Sequence, residues 1–465
     1  MIRTSIRRWA RRAAAPMAIA LAGCSSFPVI TPDMAAVDPR GVQFQAANGR
    51  VLSSETSRDL IAKLSAGGEE TDILTRHLAL EQAVSDSPLV VGNHVELLEN
   101  GPNTYAAMLS AIAAARDSIN MESYIFEGDE VGQNFADALI AKQAQGVQVN
   151  IIRDSVGTLG TPVAFFKRLT DAGVQVLEFN PVNPLSAKVG WDVNQRDHRK
   201  LLVVDGKTAV LGGINISSVY SGGSASRTHA GDSKNVLPWR DTDLLLEGPV
   251  VASLQKLFID TWASQKGPPL AQRDYLPELT KQGPSVVRAI GSAPDEPFSQ
   301  IYVTLISAIN SAENEIKITN AYFDPDPQLE RSLIAAAGRG VDVKLIVPSV
   351  SDSSLVFHAG RSHYDKLLRS GVQLFERREA LLHAKTALID GVWATVGSTN
   401  LDWRSFLHNQ ELTVVVLGID FGDKMRAAFN RDMAASTPIT LETWEQRPLG
   451  TRVKEMFGRL WEYWL

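Results

Sequence analysis

One eight-residue pattern occurs twice in this chain of 465 residues, at matching points of two similar stretches. The first copy is His198, Lys200 and Asp205-Gly206, followed by Gly212, Gly213 and Asn215. The second is His383, Lys385 and Asp390-Gly391, followed by Gly397, Ser398 and Asn400, at identical spacing. With each residue type near 5%, five fixed positions match by chance in about one chain of this length in ten thousand. Two matches therefore mark a duplication. The flanks repeat too. Strand-like His94–Leu98 and Ser285–Ile290 precede helical Tyr105–Ala115 and Ile301–Ala312. Ser118–Phe126 matches Ile316–Phe323, and helical Gly132–Ala144 matches Leu329–Gly338. Strands follow at 146–154 and 340–348, then at 172–179 and 370–377. Such alternation predicts an α/β fold: two similar halves, each a mostly parallel mixed sheet flanked by helices, packed as a pseudo-twofold pair. The expected divisions are a tether and N-terminal helix over 24–85, a first domain over 86–264, a Pro-rich linker over 265–284 and a second domain over 285–440.

The motif predicts its own chemistry. The runs LLVVD and TALID mark strands, where residues i and i+2 share a face. His198 and Lys200 then project together, as do His383 and Lys385. Asp205 and Asp390 belong to the motif as candidate catalytic residues. Their odd offset from the histidine and the glycine after each predict instead a hairpin turn. Two imidazoles, two ammonium groups and the amides of Asn215 and Asn400 make a phosphate site, Lys supplying charge and Asn neutral donors. One imidazole can attack phosphorus while the other protonates the leaving oxygen. Two ammonium groups oppose a bound cation, and no second His or Cys lies at ligand spacing, so neither a metal nor a cofactor is expected.

The first 23 residues read as a separate object. Arg3, Arg7, Arg8, Arg11 and Arg12 precede an apolar run, Ala13–Ala22, with no acidic residue. A basic region, a short apolar core and a small-residue cleavage site make a secretory signal. Leu21-Ala22-Gly23-Cys24 resembles the lipobox of bacterial lipoproteins, where the cysteine is lipidated and becomes the first residue. Ser25 after it implies sorting to the periplasmic face of a Gram-negative outer membrane. Without residues 1–23 the chain keeps 41 basic and 52 acidic residues, a net charge of −11. Nucleic acid is a poor partner for such a body, because cationic contacts to phosphates dominate that affinity. Cys24 is the sole cysteine, so disulfides and thiolate metal sites are excluded. No later stretch of about 18 residues is both free of charge and predominantly apolar, which excludes a polytopic membrane protein.

Two further segments stand out. Ser217–Pro238 is a Gly/Ser-rich insert of the first half, expected as a loop near the site. The tail, residues 441–465, carries Val453, Met456, Phe457, Leu460, Trp461 and Trp464 at helical spacing. That face either docks on the protein's own core or lies in a membrane interface.

On its duplicated HxKxxxxD motif the chain resembles the phospholipase D superfamily, and within it the bacterial cardiolipin synthases, over roughly residues 90–440. The resemblance implies a metal-independent ping-pong reaction on a phospholipid at a membrane surface. His198 would become a phosphohistidine, and His383 would act as general acid and then general base. Lys200, Lys385, Asn215 and Asn400 would hold the phosphoryl oxygens. Asp241, or its neighbour Asp243, and Glu411 would each orient a histidine, in this family often across the domain interface. Glu122 has no acidic counterpart in the second copy and receives no role. The expected reaction is phosphatidyl transfer from phosphatidylglycerol; hydrolysis to phosphatidic acid is the alternative, with a nuclease and a non-catalytic scaffold behind it. Many such synthases begin with two membrane-spanning helices, where this chain carries its lipoprotein-like leader.

Overall fold

The computed structural model describes residues 41–66, 71–85, 87–183, 191–222 and 237–461. The leader, Cys24, most of the insert and Trp464 lie outside them. The described chain opens with β1 (Phe44–Gln45), α1 (Ser54–Ser65) and α2 (Ile73–Val84). The first half then runs β2 (Leu89–Glu99), α3 (Asn100–Ala114), β3 (Ser118–Ser123), α4 (Glu130–Ala144), β4 (Gln148–Asp154), α5 (Val163–Asp171) and β5 (Gln175–Phe179). It closes with β6 (Arg196–Asp197), β7 (Lys200–Val204), β8 (Thr208–Gly212), β9 (Trp239–Arg240), β10 (Thr242–Glu247) and α6 (Val251–Ser264).

The second half repeats this order: β11 (Ser285–Ser292), α7 (Gln300–Ser311), β12 (Glu315–Asn320), α8 (Pro327–Gly338) and β13 (Asp342–Pro348). α9 (Ser354–Arg361), α10 (Tyr364–Arg369) and β14 (Gln373–Arg377) follow, then β15 (Leu381–Leu382), β16 (Lys385–Ile389), β17 (Trp393–Gly397), α11 (Trp403–Leu407), β18 (Asn409–Leu417) and α12 (Ile419–Ala434). The end is β19 (Ser436–Ile439), α13 (Leu441–Glu445) and α14 (Leu449–Arg459).

Strand order is the same in both copies. The first sheet runs β5-β4-β3-β7-β8-β10-β2, and the second β14-β13-β12-β16-β17-β18-β11. β2 and β11 pair antiparallel, Val286 opposite Val91, so the two sheets meet edge to edge about a pseudo-twofold axis. Within each of these seven-strand sheets the parallel pairs are β3-β4-β5 and β12-β13-β14, the strands with helical crossovers between them. β7-β8 and β16-β17 are hairpins, and tight turns permit only antiparallel pairing. Each half is therefore a mixed sheet with more antiparallel pairs than the strand–helix alternation predicts. A shared core joins them: Leu201, Leu244 and Phe258 of the first half cluster with Leu388, Val414 and Met425 of the second. α2 fastens to the second half through a fully buried set, Glu81 Oε1 lying 2.9 Å from Arg288 Nη1 and His77 Nδ1 3.0 Å from Ser307 Oγ.

Candidate active site

The two halves exchange short strands where the motifs begin. β6 runs parallel to the start of β18, Asp197 pairing with Gln410. The next amide, His198 N–H, donates to Gln410 O at 2.9 Å, which sets His198 beside Glu411. The second copy does the same. β15 runs parallel to β9, Leu382 pairing with Arg240, and His383 N–H donates to Arg240 O at 2.8 Å, beside Asp241. Each histidine thus meets a carboxylate from the opposite half. His198 Nδ1 lies 3.0 and 3.2 Å from the two Glu411 oxygens, and His383 Nδ1 lies 2.7 Å from Asp241 Oδ2. A carboxylate on Nδ1 holds the tautomer and leaves Nε2 as the reactive nitrogen.

Both histidines line one pocket of about 330 Å³ with Asn215 and Asn400. Asn215 Oδ1 accepts from Ile125 N–H at 3.0 Å and its Nδ2 donates to Tyr220 Oη at 3.0 Å, which fixes the amide plane. The lysines lie buried just beneath. Lys200 Nζ and Lys385 Nζ each donate to the carbonyl of their own motif's histidine. Lys200 Nζ also sits 5.2 Å from the Tyr124 ring centroid, a cation over an aromatic face. The stem of Lys385 borders a small apolar cavity of about 40 Å³ with Leu305, Ile318 and Phe406.

Burial sets the charge states. It pushes His198 down to about 4, against the pull of Glu411 and with the help of Lys200 and Lys385. His383 moves the same way, first from burial and then from Lys385, while Asp241 opposes. Burial lowers Lys200 to about 7 and Lys385 to about 8, with Glu411 and Asp241 respectively resisting most. At neutral pH both imidazoles are neutral bases, Lys385 is mostly an ammonium and Lys200 stands near its midpoint, so an anion brought to the pocket draws both lysines to the charged form. A neutral Nε2 over a cationic floor suits attack on an anionic phosphodiester.

Asp205 and Asp390 stand at the other end of β7 and β16, five residues and about 16 Å from the lysines. Both have positive φ, +52° and +48°, in the turns before Gly206 and Gly391. The Asp205 carboxylate accepts backbone N–H groups from Arg116, Asp117 and Ser118. That of Asp390 accepts from Glu313, Asn314 and Glu315, and from the Thr71 hydroxyl. Their grouping with the catalytic residues is thus corrected. They clamp the loop ahead of β3 and of β12, where no side chain of the pocket reaches. Of the two candidates at 241 and 243, Asp241 meets the histidine, while Asp243 accepts the Ile214 N–H at 3.1 Å.

Several pocket residues lie outside the motif. Tyr124 meets His198 edge-on at 5.1 Å between centroids, and Trp239 lies 5.1 Å from His383. Tyr220 Oη reaches His383 Nδ1 at 3.3 Å. Tyr220 lies near the start of the Gly/Ser-rich insert and Trp239 directly follows it, so both described ends of that insert stand at the site. Tyr322, Arg196 and Arg404 complete much of the wall. The shared Tyr-containing endings SYIF and AYF were the available signal for Tyr124 and Tyr322. Glu122 is fully buried 3.9 Å from Arg199, under the His198 segment, and burial raises its pKa first of all. Among the described residues, no group of three or more His, Cys, Asp or Glu forms a metal cluster.

Residues 108–221 and 305–433 match the family described as cardiolipin synthase, PLD-like domain. A cardiolipin synthase of Geobacillus sp. (strain WCH70) is 35% identical over 386 residues, 82% of this chain and 74% of that protein. The major cardiolipin synthase ClsA of Bacillus subtilis (strain 168) is 33% identical over 79% of this chain and 74% of its own length. The fold matches the phosphatidylserine synthase of Haemophilus influenzae Rd KW20 with a TM-score of 0.63 at 14% identity, covering 83% of this chain and 99% of that one. With the repeat, the paired motifs and these matches in place, the chain belongs to the cardiolipin synthase family of the phospholipase D superfamily.

Proposed function

We propose that this phospholipase D-type phosphatidyltransferase moves a phosphatidyl group from phosphatidylglycerol to the hydroxyl of a second lipid, through a phosphohistidine. The transferase class follows from the family. The observation carrying the mechanism is the crossed pairing of His198 with Glu411 and of His383 with Asp241 around one pocket. His198 Nε2 attacks phosphorus, the bond to the headgroup oxygen breaks, and His383 gives that oxygen its proton, releasing glycerol. An anionic phosphodiester beside His383 raises its proton affinity, so the substrate itself loads the acid. A lipid hydroxyl then enters and loses its proton to His383. Its oxygen displaces His198 from phosphorus, giving a cardiolipin-type product. Lys200 and Lys385 balance the phosphoryl charge, and Asn215 and Asn400 donate to its oxygens.

For location, the reading is an envelope lipoprotein held by lipid on Cys24, at the periplasmic face of an outer membrane. Its support is Leu21-Ala22-Gly23-Cys24 and Ser25. Relatives from Geobacillus and Bacillus leave the choice of membrane to experiment. A mature N-terminus mapped anywhere but Cys24 refutes it.

The test of the reaction is product analysis by mass spectrometry on phosphatidylglycerol vesicles, with and without phosphatidylethanolamine. Cardiolipin-type lipid and glycerol are expected in equal amounts. Phosphatidic acid as the main product at saturating lipid acceptor makes the enzyme a hydrolase.

A further inference from the structure

α14 sits on the molecule with its polarity reversed. Leu449, Val453, Met456, Phe457, Leu460 and Trp461, on the helix and just beyond it, are between 49% and 76% exposed. The side turned inward carries Glu455 and Gly458. Glu455 is 3% exposed and meets Arg447 at 2.9 Å and Arg361 at 3.5 Å. At Gly458 a Cβ would come within 2.5 Å of the Ala359 backbone nitrogen, so only glycine permits this approach to α9. The helix is therefore docked firmly by its polar side, and its apolar side has no cover among the described residues. Its exposed charges are Arg452, Lys454 and Arg459, and its one acid is the buried Glu455, on a chain whose overall charge is −6.

The surface continues towards the pocket. α9, on which α14 rests, contributes Val356 to the pocket wall, and Asp352 and Ser353 just before it line the same wall. Exposed Val350 and Leu355 follow β13. Their counterparts after β4, Leu159 and Val163, are exposed as well. These loops leave the C-terminal ends of the parallel strands, the edge that also carries Tyr124 and Tyr322 into the pocket.

We propose that α14, with the apolar loops after β4 and β13, is a docking face for an anionic lipid bilayer, set beside the pocket mouth. An apolar stripe with a Trp, flanked by Lys and Arg and, among the described residues of the helix, without an exposed acid, fits the headgroup boundary. The cationic flank complements a surface of negative lipid, although the protein as a whole is acidic. This rests on the reading of the substrate as a membrane phospholipid, and adds how the pocket reaches it.

The test uses the full chain with Cys24→Ser, so that no covalent lipid holds it, and vesicles of phosphatidylglycerol and phosphatidylcholine. Phe457→Glu with Trp461→Glu is expected to weaken vesicle binding by about tenfold or more. Lys454→Glu with Arg459→Glu is expected to weaken it by about fivefold per charge, with loss at high salt. These side chains are exposed, so thermal stability is expected to stay at the parent value. On short-chain phosphatidylglycerol dispersed as monomers, turnover is expected to stay within about twofold, since no interface is crossed. Unchanged vesicle binding in the Phe457/Trp461 variant overturns the proposal. So does an equal loss of turnover on dispersed substrate, which makes the helix a support of the fold. So does a parent dimer that the variant splits, which makes a second copy the occupant. Binding is read without turnover, so a failed transferase reading leaves this result separate.

Discussion

The two motifs share a spacing and a strand register, yet their histidines live differently. His198 Nδ1 has one partner, Glu411, whose oxygens are further held by the Ser398 hydroxyl and by Asn409 Nδ2 at 3.3 Å. His383 Nδ1 is crowded: Asp241 at 2.7 Å, Lys385 Nζ at 2.9 Å and Tyr220 Oη at 3.3 Å. The residue between His and Lys differs too. Arg199 reaches Glu411 O at 3.0 Å, Thr261 Oγ1 at 2.8 Å and Ser292 O at 2.9 Å, whereas Ala384 packs with Ile346, Leu382 and Phe429. Duplication has kept the His, Lys and Asn positions and released the rest. A fixed tautomer with one acceptor suits a nucleophile. A ring whose Nδ1 is shared by a carboxylate, an ammonium and a phenol is tuned by more groups than its counterpart, which suits a ring whose Nε2 must gain and lose a proton in each turnover.

The most severe test of this asymmetry removes each ring. His198→Ala is expected to lower turnover by about four orders of magnitude or more, as loss of a nucleophile does, and to abolish the trapped phosphoenzyme. His383→Ala is expected to remain labelled by a donor with a good leaving group, because that oxygen needs no acid. Label on His383 in the parent protein reverses the roles.

Next come the carboxylates. Glu411→Gln and Asp241→Asn keep shape but lose the charge that fixes each tautomer, and each is expected to cost about 10²–10⁴ in kcat. Single-turnover kinetics separate them. Glu411→Gln is expected to slow phosphoenzyme formation with any donor, and Asp241→Asn to spare it with a good leaving group. Equal losses in both assays erase the division of labour.

A smaller effect appears with pH. kcat/KM reports the free enzyme. Protonation of His198 near pH 4 removes the proposed nucleophile, so activity is expected to fall as pH drops through that value. Lys200 near 7 and Lys385 near 8 lose their charge as pH rises, so the alkaline limb falls through that window. Lys385→Arg, which stays charged, is expected to move the alkaline limb alone. An unchanged limb removes Lys385 from phosphate binding.

The smallest effect on turnover belongs to the turn aspartates. Asparagine tolerates positive φ but accepts less, so Asp205→Asn and Asp390→Asn are expected to cost about 1–3 kcal/mol of stability. kcat is expected to change less than about threefold, since neither group touches the pocket. Asp390, which also receives Thr71, is expected to lose more in thermal melts. A collapse of kcat without loss of stability puts these carboxylates back among the reacting groups.

The repeat and the motif spacing made the two-half fold and the six polar groups of the pocket floor legible, because duplication exposes residues that must act together. The antiparallel share of each sheet was hidden. LLVVD and TALID read as strands of either direction, and only the Asp-Gly turn hints at a hairpin. Asp241 was readable as a carboxylate beyond the motif, but choosing it over Asp243 required the β9–β15 register, which no local pattern encodes. Tyr220 and Trp239 stand far apart in sequence, and no local pattern shows that their rings meet at 5.0 Å. For α14, periodicity reveals a stripe and is blind to which way it turns. The inward side was decided by Glu455 and Gly458, two residues that an apolar pattern passes over.

The strand exchange at β6–β18 and β9–β15 makes the reaction centre a logical conjunction. Each half alone holds a histidine without its orienting carboxylate and a carboxylate without its ring, so neither is expected to carry half of the activity. A chain cut within residues 265–284 would be silent as separate fragments, and would be restored only by fragments that reassemble along β2 and β11. Any agent that loosens that seam acts as an off-switch for both histidines at once, with no need to enter the pocket.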